Sequence, residues 1–483
     1  LDHAPDGSNS SPVYVVLWFD TEDYILPASD DAVLRIASFL SSVGVKATFK
    51  VVGEKARTLE HRGRQDVIAA IRRHEVGYHS NLHSQHPSPA ERLSQMEWDE
   101  GVEEFDRTQR QGLEDVRRIF GKSPICYGQP GDSWAAQPYA VLKSWGVPVY
   151  LDEGDHVGIQ RQPFWYCGIL NVFKMQRYFT RTELRQDSDL ETAKNEFLKR
   201  HEELRQKGGG VISICYHPCE FVHREFWDAV NFSNGMNPPR EAWKLPPVKS
   251  ATEVEQGFRN FEAYIRFLKN TAGVEFVTAG DLPDLYRDEA AAKTFSKHEI
   301  LQLARAVQKE ITFWTAPNLS LSPAEVFSIL NSTLANFIQG GKPPSEVRLD
   351  FAYGPSRRTE TAKEPSSVSW NAFAGACLDV QSALHMQHRM PSEVWIGSRA
   401  ILPKDYLATL GSVVEELIES GKASESIPFK VGSFTVDQYV AEDAPEIWKW
   451  VIFPQGFHSP KIMQLAKQQA WTLKPAILRH KTS

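Results

Sequence analysis

Val13-Tyr14-Val15-Val16-Leu17-Trp18-Phe19 runs without a break into Asp20-Thr21-Glu22-Asp23. An unbroken apolar run of this length predicts a strand buried on both faces, the pattern of a parallel sheet covered by helices. Three carboxylates directly after it are costly unless a cation or hydrogen bonds compensate them. The strand end is therefore a candidate site. The plainer reading is a loop whose aspartate caps the next helix.

The same pattern continues downstream. Helical spacing over Asp31–Val43 closes at Gly44, a C-cap residue type. Further strands are expected at Ala47–Val52, Glu75–His79, Ile125–Tyr127, Val147–Leu151, Val211–His217 and Val274–Thr278. Helices are expected over Gln65–Arg73, Pro89–Phe120, Asp189–Gln206 and Thr252–Asn270. Strands alternating with helices imply an α/β fold, here a deformed (β/α) barrel of about seven strands over residues 13–288. A polar segment, residues 1–12, precedes it and is expected to carry no signal peptide.

From residue 289 to 483 the chain reads as a smaller α+β domain of helix–loop–strand units. Phe327–Ile338 leads into Pro344-Ser345-Glu346-Val347, Phe373–Met386 into Pro391-Ser392-Glu393-Val394, and Tyr406–Ile418 into Ser424–Phe429. The return of Pro-Ser-Glu-Val 47 residues later, from Pro344 to Pro391, points to an internal repeat.

Composition narrows the function classes. A formal charge of −7 and a pI of about 6.1 argue against a nucleic-acid partner, which would need a basic face. No apolar run is long enough to span a bilayer. Five cysteines are too few, and odd in number, to form a disulfide framework.

Two further features lie at expected strand ends, where the catalytic residues of an α/β barrel belong. His79 and His83 are four apart, a spacing that on a helical turn lets both imidazoles reach one divalent ion. With a carboxylate from the first strand end they would complete a His₂-carboxylate set. His217 closes the Val211–Tyr216 run and is a candidate acid/base group, or else a satisfied core histidine.

Taken together, these motifs resemble the NodB-homology polysaccharide deacetylases, carbohydrate esterase family 4. Ala47-Thr48-Phe49-Lys50-Val51-Val52-Gly53 and His74-Glu75-Val76-Gly77-Tyr78-His79-Ser80 resemble the second-strand and metal motifs of that family. Pro130-Gly131-Asp132-Ser133-Trp134 and His217-Pro218 resemble its later motifs. The resemblance implies removal of acetyl groups from N-acetylated carbohydrate with one divalent metal, zinc being favoured. It implies Asp20 as base and His217 as acid, His79 and His83 as metal ligands with Glu22 or Asp23 as the third, and Gly131 and Trp134 against substrate. Glu22 is preferred as the third ligand, since strand alternation keeps it on the side of Asp20.

One departure stands out. The arginine that pairs with the base in the family is replaced by Gly128, so either Arg161, Arg177 or another cation substitutes, or the base is oriented differently. Asp152 and Asp155 stand where the family supplies a further aspartate. The partner implied is an acetylated polysaccharide or oligosaccharide, and an extracytoplasmic location follows from that substrate. An O-acetyl esterase, a small-molecule amidohydrolase or a decayed carbohydrate-binding protein are the alternatives. Parts of Leu319–Phe434 are also similar to pseudomurein-binding repeats, which implies a cell-wall or glycan-binding module.

Overall fold

The computed structural model describes residues 12–479 apart from 160–161, 174, 176–177 and 360–365. Arg161 and Arg177 lie outside the described residues.

The first strand, β1 (Val13–Thr21), is buried along its whole length and is the centre of the sheet. Around it stand β2 (Thr48–Val51), β3 (Glu75–Tyr78), β4 (Cys126–Tyr127), β5 (Val149–Leu151), β6 (Phe164–Tyr166), β7 (Ile169–Val172), β8 (Phe179–Thr180), β9 (Gly210–Tyr216) and β10 (Val274–Val277). All the expected strands form. The additions are a β6–β7 hairpin and the short β8, whose segments carry no clean alternation. Strand order runs β6-β7-β5-β4-β3-β2-β1-β9-β8.

The deformation has a specific origin at β1. One edge of β1 is shared: its first half pairs with β10 (Val13 opposite Val274) and its second half with β2 (Asp20 opposite Lys50). The other edge pairs with β9 from Val13 to Phe19. The sheet therefore curls into an incomplete barrel, wrapped by helices such as Ala28–Ser42, Trp98–Phe120 and Ala251–Asn270. The expected Pro89–Phe120 helix is two helices, Pro89–Leu93 and Trp98–Phe120, with a break between them.

A second core begins at Ala290 and extends to Ile427, with Trp471 joining it. It contains a duplication. Strand β11 (Thr294–Ser296), a helix (Lys297–Val307), the hairpin β12–β13 (Trp314–Ala316, Leu319–Leu321), a helix (Pro323–Gly340) and β14 (Glu346–Arg348) form one unit, with β14 antiparallel to β11. Strand β15 (Ser367–Ser369), a helix (Trp370–Gln387), the hairpin β16–β17 (Val394–Ile396, Arg399–Ile401), a helix (Pro403–Ser420) and β18 (Ser426–Pro428) repeat it, with β18 antiparallel to β15. Trp314, Pro323 and Glu346 thus recur as Val394, Pro403 and Ser426, 80 residues later each time. The Pro-Ser-Glu-Val pair 47 apart is not this repeat: Val347 lies in a closing strand and Val394 in a hairpin strand.

The chain does not end in this second core. Val436, Ile462, Leu465 and Leu473 pack into the barrel core, and β19 (Lys474–Pro475) pairs antiparallel with β6. Residues 289–483 therefore do not form one separate unit. The last segment returns to the barrel and, at Trp450 and Val451, reaches the candidate site.

Candidate metal centre

The carboxyl end of β1 places Asp20 and Glu22 toward a cavity of 280 Å³ and turns Asp23 away. Asp23 Oδ1 accepts the backbone N–H groups of Ile25 (2.8 Å) and Leu26 (3.1 Å), and its Oδ2 lies 2.9 Å from His223 Nε2. Asp23 thus closes the turn into the next helix. It is not among the gathered ligands.

Glu22, His79 and His83 do come together, all buried, with ligand atoms within 4.8 Å of one another. His79 leaves β3 directly. His83 does not reach the cluster by a helical turn, as the spacing suggested. Residues 79–84 form an irregular loop in which Ser80 (φ 63°) and His83 (φ 55°) adopt the left-handed region, uncommon for such residues and frequent at functional sites. Backbone N–H groups of Gly53 and Glu54, which open the helix following β2 (Gly53–His61), hold the carbonyls of Ser80 and Asn81. The Tyr24 hydroxyl donates to the carbonyl of Leu82.

The donor set suits a divalent cation. His79 Nδ1 lies 3.0 Å from the carbonyl of Gly128, which can only accept, so the proton sits on Nδ1 and Nε2 keeps a bare lone pair. That lone pair faces Glu22 Oε2 at 3.3 Å. His83 Nε2 lies 2.9 Å from the same oxygen without hydrogen-bond geometry. Burial pushes Glu22 upward, but His83 and His217 overcome it and hold its carboxyl well below the usual range. Burial likewise keeps His79 below its ordinary value. The indole N–H of Trp227 donates to Glu22 Oε1 at 3.0 Å, leaving Oε2 toward the histidines.

Asp20 and His217 flank this cluster. His217 Nε2 lies 3.6 Å from Asp20 Oδ2 and 3.9 Å from Glu22 Oε2. Burial and Arg181 oppose charge on His217, but the carboxylates of Glu220 and Glu22 prevail and raise it to about 9. Burial also raises Asp20, yet His79 and Lys50 bring it below its ordinary value.

The cation beside Asp20 is Lys50. It sits opposite Asp20 on β2, fully buried, with Nζ 3.0 Å from Asp20 Oδ1, 3.3 Å from Asp152 Oδ2 and 2.8 Å from the carbonyl of Leu151. Its ammonium also stands over the Trp18 ring at 4.1 Å. Gly128 makes this possible: a Cβ there would lie 2.1 Å from Lys50 Nζ and 2.6 Å from Asp152 Oδ2. Burial raises Asp152 to about 8 despite Lys50. Gln129 Nε2 donates to its other oxygen at 2.8 Å.

Gly131 lines the cavity, but Trp134 does not. Trp134 is fully buried beneath the loop, stacked on His156 with ring centres 5.1 Å apart. The tryptophan at the cavity is Trp450. Its Nε1 donates to Asp228 Oδ2 at 2.9 Å and its ring meets that of His83 edge-on at 5.3 Å. Sequence reading missed Lys50, Arg181, Phe226, Asp228 and Trp450. Only Lys50 carried a signal, a charge in the middle of a run otherwise reading as a buried strand.

No protein-family model and no curated protein matches the chain. Among solved structures it is similar to PuuE allantoinase, at 12% identity over 59% of this chain and 97% of that one, with a TM-score of 0.38. It is similar to the Xyl-CE4 domain of a multidomain xylanase from the hindgut metagenome of Trinervitermes trinervoides, at 15% identity over 57% and 91%, with a TM-score of 0.30. A peptidoglycan N-acetylglucosamine deacetylase matches at 17% identity over 57% and 89%, with a TM-score of 0.31.

Proposed function

We propose that the chain is a metal-dependent hydrolase that removes acetyl groups from N-acetylated carbohydrate. The observation that carries this reading is the buried Glu22–His79–His83 set, whose ligand atoms lie within 4.8 Å of one another, flanked by a carboxylate and an imidazole. Glu22, His79 and His83 would hold the ion. A divalent cation so held, zinc by preference for a nitrogen-rich site, supplies Lewis acidity to an acyl carbonyl and lowers the pKa of a water.

The protein's groups then divide the proton work. Asp20, kept ionised beside Lys50, takes a proton from the attacking water as its oxygen bonds to the acetamide carbon. His217, protonated at neutral pH, gives a proton to the nitrogen as the carbon–nitrogen bond breaks. Acetate and a free amino sugar leave. Gly131 borders the cavity where a backbone N–H would meet the developing oxyanion. Lys50 supplies the cation that the Gly128 position lacks, which removes the main motive for reading the site as decayed.

The test is metal analysis together with acetate release from N-acetylated chitooligosaccharides. Wild type should carry about one equivalent of metal and turn over. His79→Ala should lose both, and an unchanged metal content and rate in that variant would refute the assignment. An acetylated glycan substrate places the protein outside the cytoplasm, and that location is part of the proposal.

A further inference from the structure

Each imidazole of the metal centre needs an acceptor behind it. A histidine that gives Nε2 to a cation keeps its one ring proton on Nδ1, and the group accepting that proton fixes both the tautomer and the ring plane. For His79 that group is the carbonyl of Gly128. His83 has a hydroxyl instead: its Nδ1 lies 2.5 Å from Ser84 Oγ, which can either donate or accept.

The direction is decided one step further out. Ser84 Oγ stands 3.4 Å from Asp228 Oδ2, and that same oxygen accepts the indole N–H of Trp450 at 2.9 Å. A carboxylate oxygen accepts, so the Ser84 hydroxyl donates to it and turns a lone pair toward the Nδ1 proton of His83. His83, Ser84 and Asp228 are all buried, so the protein itself supplies these partners. At the other side of the ring, Nε2 has no hydrogen-bond partner and lies 2.9 Å from Glu22 Oε2.

Asp228 is well placed for this work. It follows Trp227, whose indole donates to Glu22 Oε1, so consecutive residues opening the helix Trp227–Phe232 serve two different ligands. The last segment of the chain holds that helix from outside. Besides the Trp450 bond, the carbonyls of Val451 and Ile452 accept from Asn234 (3.0 Å) and Gly235 (2.8 Å), just past its end.

We propose that Asp228 is a positioning residue of the metal centre, acting through Ser84 to keep the His83 proton on Nδ1 and Nε2 free for the ion, with Trp450 anchoring it. The test is the zinc affinity of the full chain, measured by chelator competition on metal-free protein whose folding is checked by circular dichroism. Ser84→Ala and Asp228→Ala should each raise the zinc Kd about 10- to 100-fold, and Trp450→Phe, which keeps a ring but removes the indole N–H, by a smaller factor. Because Asp228 acts through Ser84, the double variant should match the weaker single one to within about twofold, whereas independent damage would multiply. Should Asp228→Ala not fold, the cycle is run with the near-isosteric Asp228→Asn. An unchanged Kd in any of the three single variants, or losses that multiply, would overturn the proposal.

The proposal rests on the metal-centre reading above, and the failures separate. Zinc bound by wild type and weakened in the variants, with no acetate released, refutes the reaction alone. Acetate released with a Kd indifferent to Ser84 and Asp228 refutes the positioning role alone. No zinc binding by wild type refutes both.

Discussion

Lys50 and Gly128 form a single device made of two residues. The ammonium occupies the space that any side chain at 128 would fill, and it lies between two buried carboxylates, Asp20 and Asp152. Removing it leaves the buried Asp20 carboxylate without its cation and takes a hydrogen-bond donor from Asp152. Lys50→Met should therefore cost about 3–5 kcal/mol of stability, read by denaturant unfolding, and abolish acetate release even where metal content survives. A variant of wild-type stability would show that the charges are compensated elsewhere. The strand-end acids make a second residue-scale prediction. Glu22→Gln should lower metal stoichiometry, whereas Asp23→Asn should keep the metal and lose about 1–3 kcal/mol by weakening the turn and its contact with His223. Equal metal loss in both would reverse that division. At this scale the sequence was only partly legible. Asp20, His79, His83 and His217 stood at or just past expected strand ends, and the fold brings all four to one cavity. Lys50 pointed inward from a strand, a direction that alternation alone could not attach to any partner.

Among the elements, the loop after β3 brings His83 to the cavity beside His79. It reaches the site by left-handed backbone rather than by a helical turn, and hydrogen bonds from Gly53, Glu54 and Tyr24 hold it. Its far end is pinned by His86, whose Nδ1 lies 2.8 Å from Glu91 and whose Nε2 lies 3.1 Å from the carbonyl of Phe232. Burial opposes charge on His86, but Glu91 prevails and raises the imidazole above its ordinary 6.5; the same contact outweighs burial at Glu91 and lowers it from 4.5. The folded state thus holds the His86 proton more tightly, so that contribution is complete below pH 6.5 and fades as pH rises through the folded value. The Glu91 contribution is complete above 4.5 and fades below it. The Tm difference between wild type and His86→Gln should accordingly be largest between about pH 5 and 6 and shrink on either side. A difference that grew toward alkaline pH would contradict the pairing. Strands with long apolar runs were legible, because burial on both faces leaves a mark that a single sequence displays. The β6–β7 hairpin and the duplication 80 residues apart were not, since short strands show little periodicity and repeat units can conserve shape while replacing nearly every residue.

At the scale of the whole molecule, the duplicated second core is set between the barrel and the barrel's own last segment. Ile462, Leu465 and Leu473 belong to the barrel core, and Lys474, fully buried, joins Asp288 at 2.8 Å to Glu325 at 2.6 Å across the two cores. A chain ended at residue 288 would expose that part of the core and leave β6 an open edge. It should be insoluble, or show no cooperative transition by calorimetry; a soluble fragment with a sharp transition would mean that the barrel folds without its final segment. The order of residues along the chain has a temporal counterpart. Asp20, Glu22, His79, His83 and His217 have all been synthesised once His217 has been made, yet Trp450 follows only after nearly all of the second core. At about 5–20 residues per second, roughly 10–50 s separate the two. During that interval the barrel lacks β19 against β6 and the packing of Ile462, Leu465 and Leu473, so the nascent chain holds only part of its core.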